Sequence, residues 1–248
     1  MSFMKLFIYD TYDGLSRRAS EDLIGLMNSS RHPLLCIASG DTPAGLYKNI
    51  VEKFQKKELD ISGWSFIGLD EWVGMNGENE GSCRYHLNQQ FFIPLKIAGD
   101  KIFFLDGKKR ELEKECENAE SFIAQHGSID IAVLGLGLNG HIGMNEPGTP
   151  LSTLSHVAKL DPITQQTGQK YFKERQELKD GITLGMGTLM KSKHIILLVS
   201  GLKKAEIVKK LIESEVTESI PGTLLRSHPD LRIYLDSEAA SLLSRNNY

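Results

Sequence analysis

The sequence predicts an α/β fold: a doubly wound, mostly parallel sheet with helices on both faces, Rossmann-like and three-layered. Three observations lead there. Short apolar runs rich in β-branched residues, such as Ile129 to Leu134 and His194 to Ser200, read as strands buried on both faces. They alternate along the chain with longer segments whose apolar residues recur at helical spacing. The run at Ile129 ends in a loop carrying Gly135, Gly137, Gly140 and Gly143 together with one imidazole, His141, and one carboxylate, Glu146. Such a loop suits a site at the carboxyl end of a parallel sheet. The 248 residues contain no internal repeat, low-complexity segment or composition shift that would mark a linker, so one domain, 1–248, is expected.

Taken in order, Lys5 to Tyr9 is a strand and residues 14–28 carry a helical stripe of Leu15, Ala19, Leu23, Leu26 and Met27. Pro33 to Ala38 is a second strand. The turn Ser39-Gly40-Asp41-Thr42-Pro43 then opens a helix with Thr42 as the expected N-cap and Pro43 at the first helical position. A strand, a Ser-Gly turn and a helix start can hold phosphate through free N–H groups and the helix dipole, or can be a plain helix start. Asp41 weighs against the anion unless its carboxylate points away. Trp64 to Leu69 is a third strand ending in Asp70-Glu71-Trp72, where adjacent carboxylates are costly to bury unless paired or used.

A polar, glycine-rich loop (73–82) leads to a helix from Arg84 to Ile93, a strand at Ile102 to Leu105 and a charged helix over 109–124. After the central strand and its loop, Leu154 to Leu160 is extended and Pro162 to Phe172 helical, and residues 173–180 form a charge-rich connection. Gly181 to Met190 leads into the strand at His194. Gly201-Leu-Lys-Lys-Ala205 opens another helix, Leu231 to Leu235 is the last strand, and a short helix closes the chain. Lys203 and Lys204 at a helix start oppose the dipole, so they suit a bound anion or stand simply solvated.

Net charge is -3, which gives no basic field for nucleic acid or an anionic membrane. The apolar run at the start is too short for a signal peptide, and no run approaches a membrane span. Three scattered cysteines, Cys36, Cys83 and Cys116, form no CxxC pair and suggest a reducing, cytoplasmic setting; each reads as a small core or surface residue. The His141 to Glu146 spacing lacks further ligands for a metal. The remaining histidines, among them His32, His126 and His228, sit in polar surroundings and are expected at the surface.

Gly135-x-Gly137-x-x-Gly140 also matches the dinucleotide-binding pattern, with Asp161 at the distance of a ribose-binding acid. That pattern needs a helix opening at its third glycine. Gly143, Pro147, Gly148 and Pro150 forbid one, so the nicotinamide reading is set aside.

Leu69-Asp70-Glu71-Trp72-Val73-Gly74 and Gly135-Leu-Gly-Leu-Asn-Gly-His-Ile-Gly-Met-Asn-Glu-Pro-Gly148 resemble the glucosamine-6-phosphate deaminase/isomerase family, and the similarity runs over nearly the whole chain in the same order. Gly81-Ser-Cys83, Thr164-Gln-Gln166 and Gly181-Ile-Thr-Leu-Gly185 look closest to its galactosamine-6-phosphate branch. The resemblance implies aldose–ketose isomerisation with loss of ammonia from a hexosamine 6-phosphate, no cofactor, a small sugar phosphate as partner, and a preference for galactosamine 6-phosphate; a homo-oligomer is possible, and the sequence does not give the oligomeric state. It implies Asp70 as the base between C2 and C1, His141 as the group that opens the pyranose ring, and Glu146 as its orienting acid. Ser39, Gly40, Thr42 and Lys204 would hold the phosphate.

Two positions depart from the family's pattern. Asn139 stands where the best-known members have Asp; it can still accept from the imidazole but adds no charge, leaving Glu146 as the main acidic partner. Lys170 stands where many have an arginine near the phosphate, and a lysine cannot make the bidentate fork. The rivals are the gluco-specific deaminase, 6-phosphogluconolactonase and a non-catalytic sugar-phosphate sensor. Lactonases resembling this family carry Arg after the Asp-Glu pair and lack Asn-Glu-Pro after the histidine, whereas this chain has Trp72 and Asn145-Glu146-Pro147. A sensor would have no use for a base.

Overall fold

The structure, a computed structural model, describes residues 4–244. Its frame is a sheet of seven parallel strands: β1 (Lys5–Tyr9), β2 (Leu34–Ile37), β3 (Ser65–Gly68), β5 (Ile102–Phe103), β6 (Ile131–Gly135), β9 (His194–Val199) and β10 (Leu231–Asp236). They lie in the order β1-β10-β9-β6-β2-β3-β5. The chain therefore builds outward from β2 through β3 to β5, then returns to place β6 on the other side of β2. The strand order reverses between β2 and β6, and a crevice opens outside their carboxyl ends, where α/β sheets bind ligands. The two loops singled out in the sequence, Ser39-Gly40 and Gly135 to His141, are the two that leave those strands.

Alternate residues of each strand face opposite layers. Leu35, Ile37, Phe66, Val133, Ile196 and Leu198 pack with α1 (Tyr12–Met27) and α2 (Asp41–Gln55). Cys36, Ile67, Ala132, Leu134, Leu197 and Ile233 pack with α4 (Leu112–Gln125) and α7 (Ala205–Glu213) on the other side. This is the predicted three-layer, doubly wound arrangement.

The expectation of one sheet is incomplete. Directly after β3 the chain leaves the parallel frame at Leu69 and enters β4 (Asp70–Trp72), which pairs antiparallel with β8 (Asp180–Thr183), itself antiparallel to β7 (His156–Lys159). Leu69 is the seam: its N–H donates to Ile37 O of the large sheet and its carbonyl accepts from Leu184 N. A three-residue strand is too short to show a period, which hid β4 from the sequence. Between the strands lie α3 (Cys83–Leu87), which runs on as a π-helical turn over Asn88–Phe92, then α5 (Pro162–Gly168), α6 (Met186–Leu189) and α8 (Pro221–Leu224).

Several smaller expectations are corrected. The helix predicted over Pro162 to Phe172 keeps α-geometry only to Gly168, continuing as a 3-10 turn over Gln169–Tyr171. After β10 the described residues form turns in place of a closing helix. His228 is buried, its Nε2 2.8 Å from Ser192 O and its Nδ1 accepting from Asp230 N, so a polar neighbourhood in sequence marked a satisfied core histidine. All three cysteines are buried and unpaired. Among the described residues no helix is long and apolar enough to cross a membrane.

Candidate active site

The N-terminus of α2 forms one wall. Thr42 is not its cap and Pro43 is not its first residue: the helix begins at Asp41, with Gly40 at the cap at φ 112° and no side chain bonded to the first turn. That φ is costly for any residue with a Cβ, so Gly40 takes the position and leaves first-turn N–H groups open toward the crevice. Tyr12 steadies the turn, its hydroxyl accepting from Gly45 N at 2.7 Å and reaching the carbonyls of Asp41 and Thr42. Asp41 is exposed at the first turn. Its carboxylate pairs with Lys170 at 2.5 Å, so the cation expected at the phosphate is bound to the acid that would repel one. Beside Lys170, the Tyr171 hydroxyl closes over the turn, 3.1 Å from where a Cβ on Gly40 would stand.

The second wall is the loop after β6. No helix follows Gly140, as the excluded dinucleotide pattern would need, and Asp161 serves as the N-cap of α5, accepting from Ile163 N at 2.8 Å. A Cβ on Gly137 would lie 2.3 Å from the His141 ring, so this glycine is what lets the imidazole fold back over the loop. Nδ1 of His141 donates to Asn139 Oδ1 at 2.8 Å, with Thr164 Oγ1 3.0 Å away, which leaves Nε2 as the free acceptor. Asn139 Nδ2 donates to Glu146 Oε2 at 2.9 Å, while Glu146 itself stands 3.7 Å from Nδ1. Glu146 is thus the acidic group beside the imidazole, and the Asn139 amide bridges the two. Its Oε1 is buried with no partner among the described residues.

Burial, and next the charge of Lys204, lower the His141 imidazole from 6.5 to about 4, so it is neutral near pH 7. Burial raises the Glu146 carboxyl, against the hydrogen bonds from Thr164 and Asn139. Lys204 ends just before α7; its Nζ donates to Leu136 O, and burial followed by the charge of Lys170 lowers it from 10.5 to about 8. The ammonium is thus half-stripped of water beside a helix start, a state that a dianion would stabilise.

Asp70 opens the small sheet opposite Thr183, whose hydroxyl accepts from Met144 N in the histidine loop at 3.2 Å. The Asp70 side chain is buried. Burial, then the charge of Glu71, raise its carboxyl from 3.8 to about 7, and the Cys83 thiol pulls it back. The fold so gathers Ser39, Gly40, Asp70, Asn139, His141, Glu146 and Lys204 at one end of the sheet. Lys170 is brought near through Asp41, and the Thr42 carbonyl accepts from the Tyr12 hydroxyl. Thr164 went unrecognised as a partner of His141, because nothing in the sequence says that α5 folds back over the loop. Tyr171 was passed over for the same reason: its significance is purely tertiary.

Seven parallel strands with a phosphate-ready helix start, a buried carboxylate and a neutral imidazole at the switch point define a sugar-phosphate enzyme class of α/β fold. The model of the glucosamine-6-phosphate isomerases/6-phosphogluconolactonase family matches residues 11–233, and the chain belongs to that family. It is 36% identical over 241 residues to the glucosamine-6-phosphate deaminase of Thermoanaerobacter pseudethanolicus, covering 97% of this chain and 95% of the relative. The glucosamine-6-phosphate deaminase of Shouchella clausii is 37% identical over 243 residues, with 98% of each chain covered. Among solved structures, a monomeric glucosamine-6-phosphate deaminase superposes with a TM-score of 0.93 at 34% identity, over 97% of this chain and 100% of the other. The 6-phosphogluconolactonase of Trypanosoma brucei shares the fold, with a TM-score of 0.80 at 17% identity over 98% of this chain and 100% of that one.

Proposed function

We propose that the chain converts a hexosamine 6-phosphate and water into a ketohexose 6-phosphate and ammonia. The observation that carries this reading is a buried carboxylate, Asp70, poised near neutrality across from a neutral, hydrogen-bonded imidazole. The phosphate sits on the first turn of α2 with Ser39 and Gly40, and Lys204 faces it. Lys170 assists by holding the Asp41 carboxylate off the anion. His141 Nε2 accepts the anomeric hydroxyl proton and returns it to the ring oxygen, giving the open-chain aldehyde. Asp70 then takes the proton from C2 and delivers it to C1 while one proton of the amine moves to O1, which leaves a hydroxymethyl group at C1 and an imine at C2. Water adds there and ammonia departs. No step needs a cofactor.

Lys204→Ala is expected to raise KM roughly tenfold or more and to change kcat less, because the phosphate does not react and its contacts serve ground and transition states alike. Lys170→Ala is expected to be milder, acting through the freed Asp41. Steady-state kinetics decide; an unchanged KM in Lys204→Ala would place the phosphate elsewhere.

We infer further that galactosamine 6-phosphate is preferred over glucosamine 6-phosphate. The two differ only at C4, so the groups assigned to chemistry cannot tell them apart. The support lies in the three segments whose residues resemble the galactosamine branch, all of which pack around the crevice. Thr183 is the register partner of Asp70, Thr164 contacts the His141 ring, and Gly81 fits beneath Phe172 and the Tyr171 carbonyl, where a Cβ would come within 2.4 Å of the Phe172 ring. An epimer that leaves a buried donor or acceptor unpaired loses about 1–3 kcal/mol, roughly ten- to a hundredfold. The curated relatives named above are glucosamine-6-phosphate deaminases, which makes the gluco epimer the second reading. The kcat/KM for ammonia release from each sugar separates them. A tenfold preference for the gluco epimer would refute the galactosamine assignment and leave the catalytic roles in place.

A further inference from the structure

The Asn139 amide can stand only one way round. Its Oδ1 receives the backbone N–H of His141 at 3.1 Å, a group that only donates, and its Nδ2 donates to Glu146 Oε2 at 2.9 Å. The oxygen is therefore the atom that meets His141 Nδ1 at 2.8 Å, and the ring proton sits on Nδ1. A second oxygen meets the same proton from another element: Thr164 Oγ1 lies 3.0 Å from Nδ1. A hydroxyl can donate or accept, and opposite an N–H it accepts. Thr164 is the third residue of α5, whose first turn is fixed. Asp161 caps it by accepting from Ile163 N at 2.8 Å, Gln165 N donates to Asp161 O at 2.9 Å, and Gln165 Nε2 donates to Leu160 O at 2.8 Å. The Thr164 side chain is buried, and β-branching stiffens its χ1. The imidazole is thus held at Nδ1 from two sides, by the loop after β6 and by α5.

We propose that Thr164 is a positioning residue for ring opening: its Oγ1 shares the Nδ1–H of His141 with Asn139 and so fixes the plane in which the imidazole presents Nε2 to the sugar. This rests on the reading of His141 as the group that opens the pyranose. A ring with one acceptor can swing about its Cβ–Cγ bond, whereas acceptors on two separate elements hold it in the reacting orientation. The need is greatest once Nε2 has taken the anomeric proton. The imidazolium then shares its charge between both nitrogens, and Nδ1–H becomes a stronger donor. Asn139 offers it a neutral oxygen that is already shared with the backbone N–H of His141, and Glu146 stands 3.7 Å from Nδ1, beyond hydrogen bonding. Thr164 supplies the second acceptor. Losing it should tell on the step that uses the ring and spare the later transfer from C2 to C1, which belongs to Asp70.

The test is kinetics of Thr164→Val and Thr164→Ser on the cyclic hexosamine 6-phosphate and on an open-chain analogue. It is paired with ¹H–¹⁵N NMR of protein labelled at histidine, the His141 Nδ1–H resonance being assigned by its loss in His141→Gln. Valine keeps the shape of threonine and removes the acceptor. Thr164→Val is expected to lose roughly five- to tenfold in kcat on the cyclic sugar, the size of one neutral hydrogen bond, and less than about twofold on the open-chain analogue. The Nδ1–H resonance should move upfield as it loses one of its two acceptors. Thr164→Ser is expected to restore both readouts. If Thr164→Val fails to fold, Thr164→Ala is measured in its place. A merely structural role would cost both substrates alike. Equal losses on the two, an unmoved resonance or no rescue by serine would overturn the proposal. A resonance shift reversed by serine, in a protein that releases no ammonia, would uphold the contact and refute the functional reading instead.

Discussion

Asp70→Asn should bind the sugar phosphate with near-wild-type affinity and lose turnover by roughly 10²–10⁴, the contribution of one positioned base. The amide keeps the shape of the carboxylate but cannot take a proton from C2. The direct readout is exchange of the C2 proton with D₂O, and wild-type-like exchange in the mutant would remove Asp70 from the mechanism. In the wild-type enzyme kcat/KM should rise with pH through about 7, the value to which burial, and then the charge of Glu71, raise this carboxyl from 3.8. The same substitution should stabilise the fold. A carboxyl held above its ordinary value binds its proton more tightly when folded, so its favourable contribution is complete below about pH 4 and is lost as pH rises to about 7. The difference in Tm between Asp70→Asn and wild type should therefore open between those two pH values and stay constant above them. An equal difference at pH 4 and pH 8 would show that Asp70 titrates normally.

His141→Gln should lose roughly 10² in kcat on the cyclic sugar and recover part of it on an open-chain analogue, because the imidazole serves ring opening and not the C2 proton. Its acid limb should remain that of Asp70. His141 is already neutral across that range, with an imidazole lowered to about 4 by burial and Lys204, so removing it takes away no titration near 7. Glu146→Gln should give a weaker form of the same defect, since Glu146 acts through the amide of Asn139. Equal loss on cyclic and open-chain substrates would assign His141 to another step.

The parallel frame was legible because its strands are continuous apolar runs and its helices carry long stripes, signals that survive without tertiary information. The placement of two loops followed too: a glycine-bearing loop after β6 and a Ser-Gly turn after β2 both leave the carboxyl ends of strands, and their adjacency comes from the order reversal between those strands. What escaped the sequence lies where short segments meet. β4 has three residues, too few for a period, and its pairing with β8 joins positions more than a hundred apart in the chain. Thr42 looked like a cap because Thr-Pro is a common helix opening, yet Gly40 can adopt the positive φ that starts the helix two residues sooner. Lys170 and Asp41 could not be paired by inspection, and neither could Glu71 and the N–H groups of Cys83 and Arg84. In each case the residues were visible and the contact was not.

One experiment bears most directly on the assignment of this crevice to isomerisation with deamination. The wild-type chain would be given galactosamine 6-phosphate and glucosamine 6-phosphate, each deuterated at C2, and separately 6-phosphogluconolactone, with products followed by NMR and an ammonia assay. The expected result is ammonia in equal amount to a ketohexose 6-phosphate, with the deuterium gone from C2 and recovered at C1 or in water. Amino sugars returned with the C2 label intact, together with rapid hydrolysis of the lactone, would contradict it.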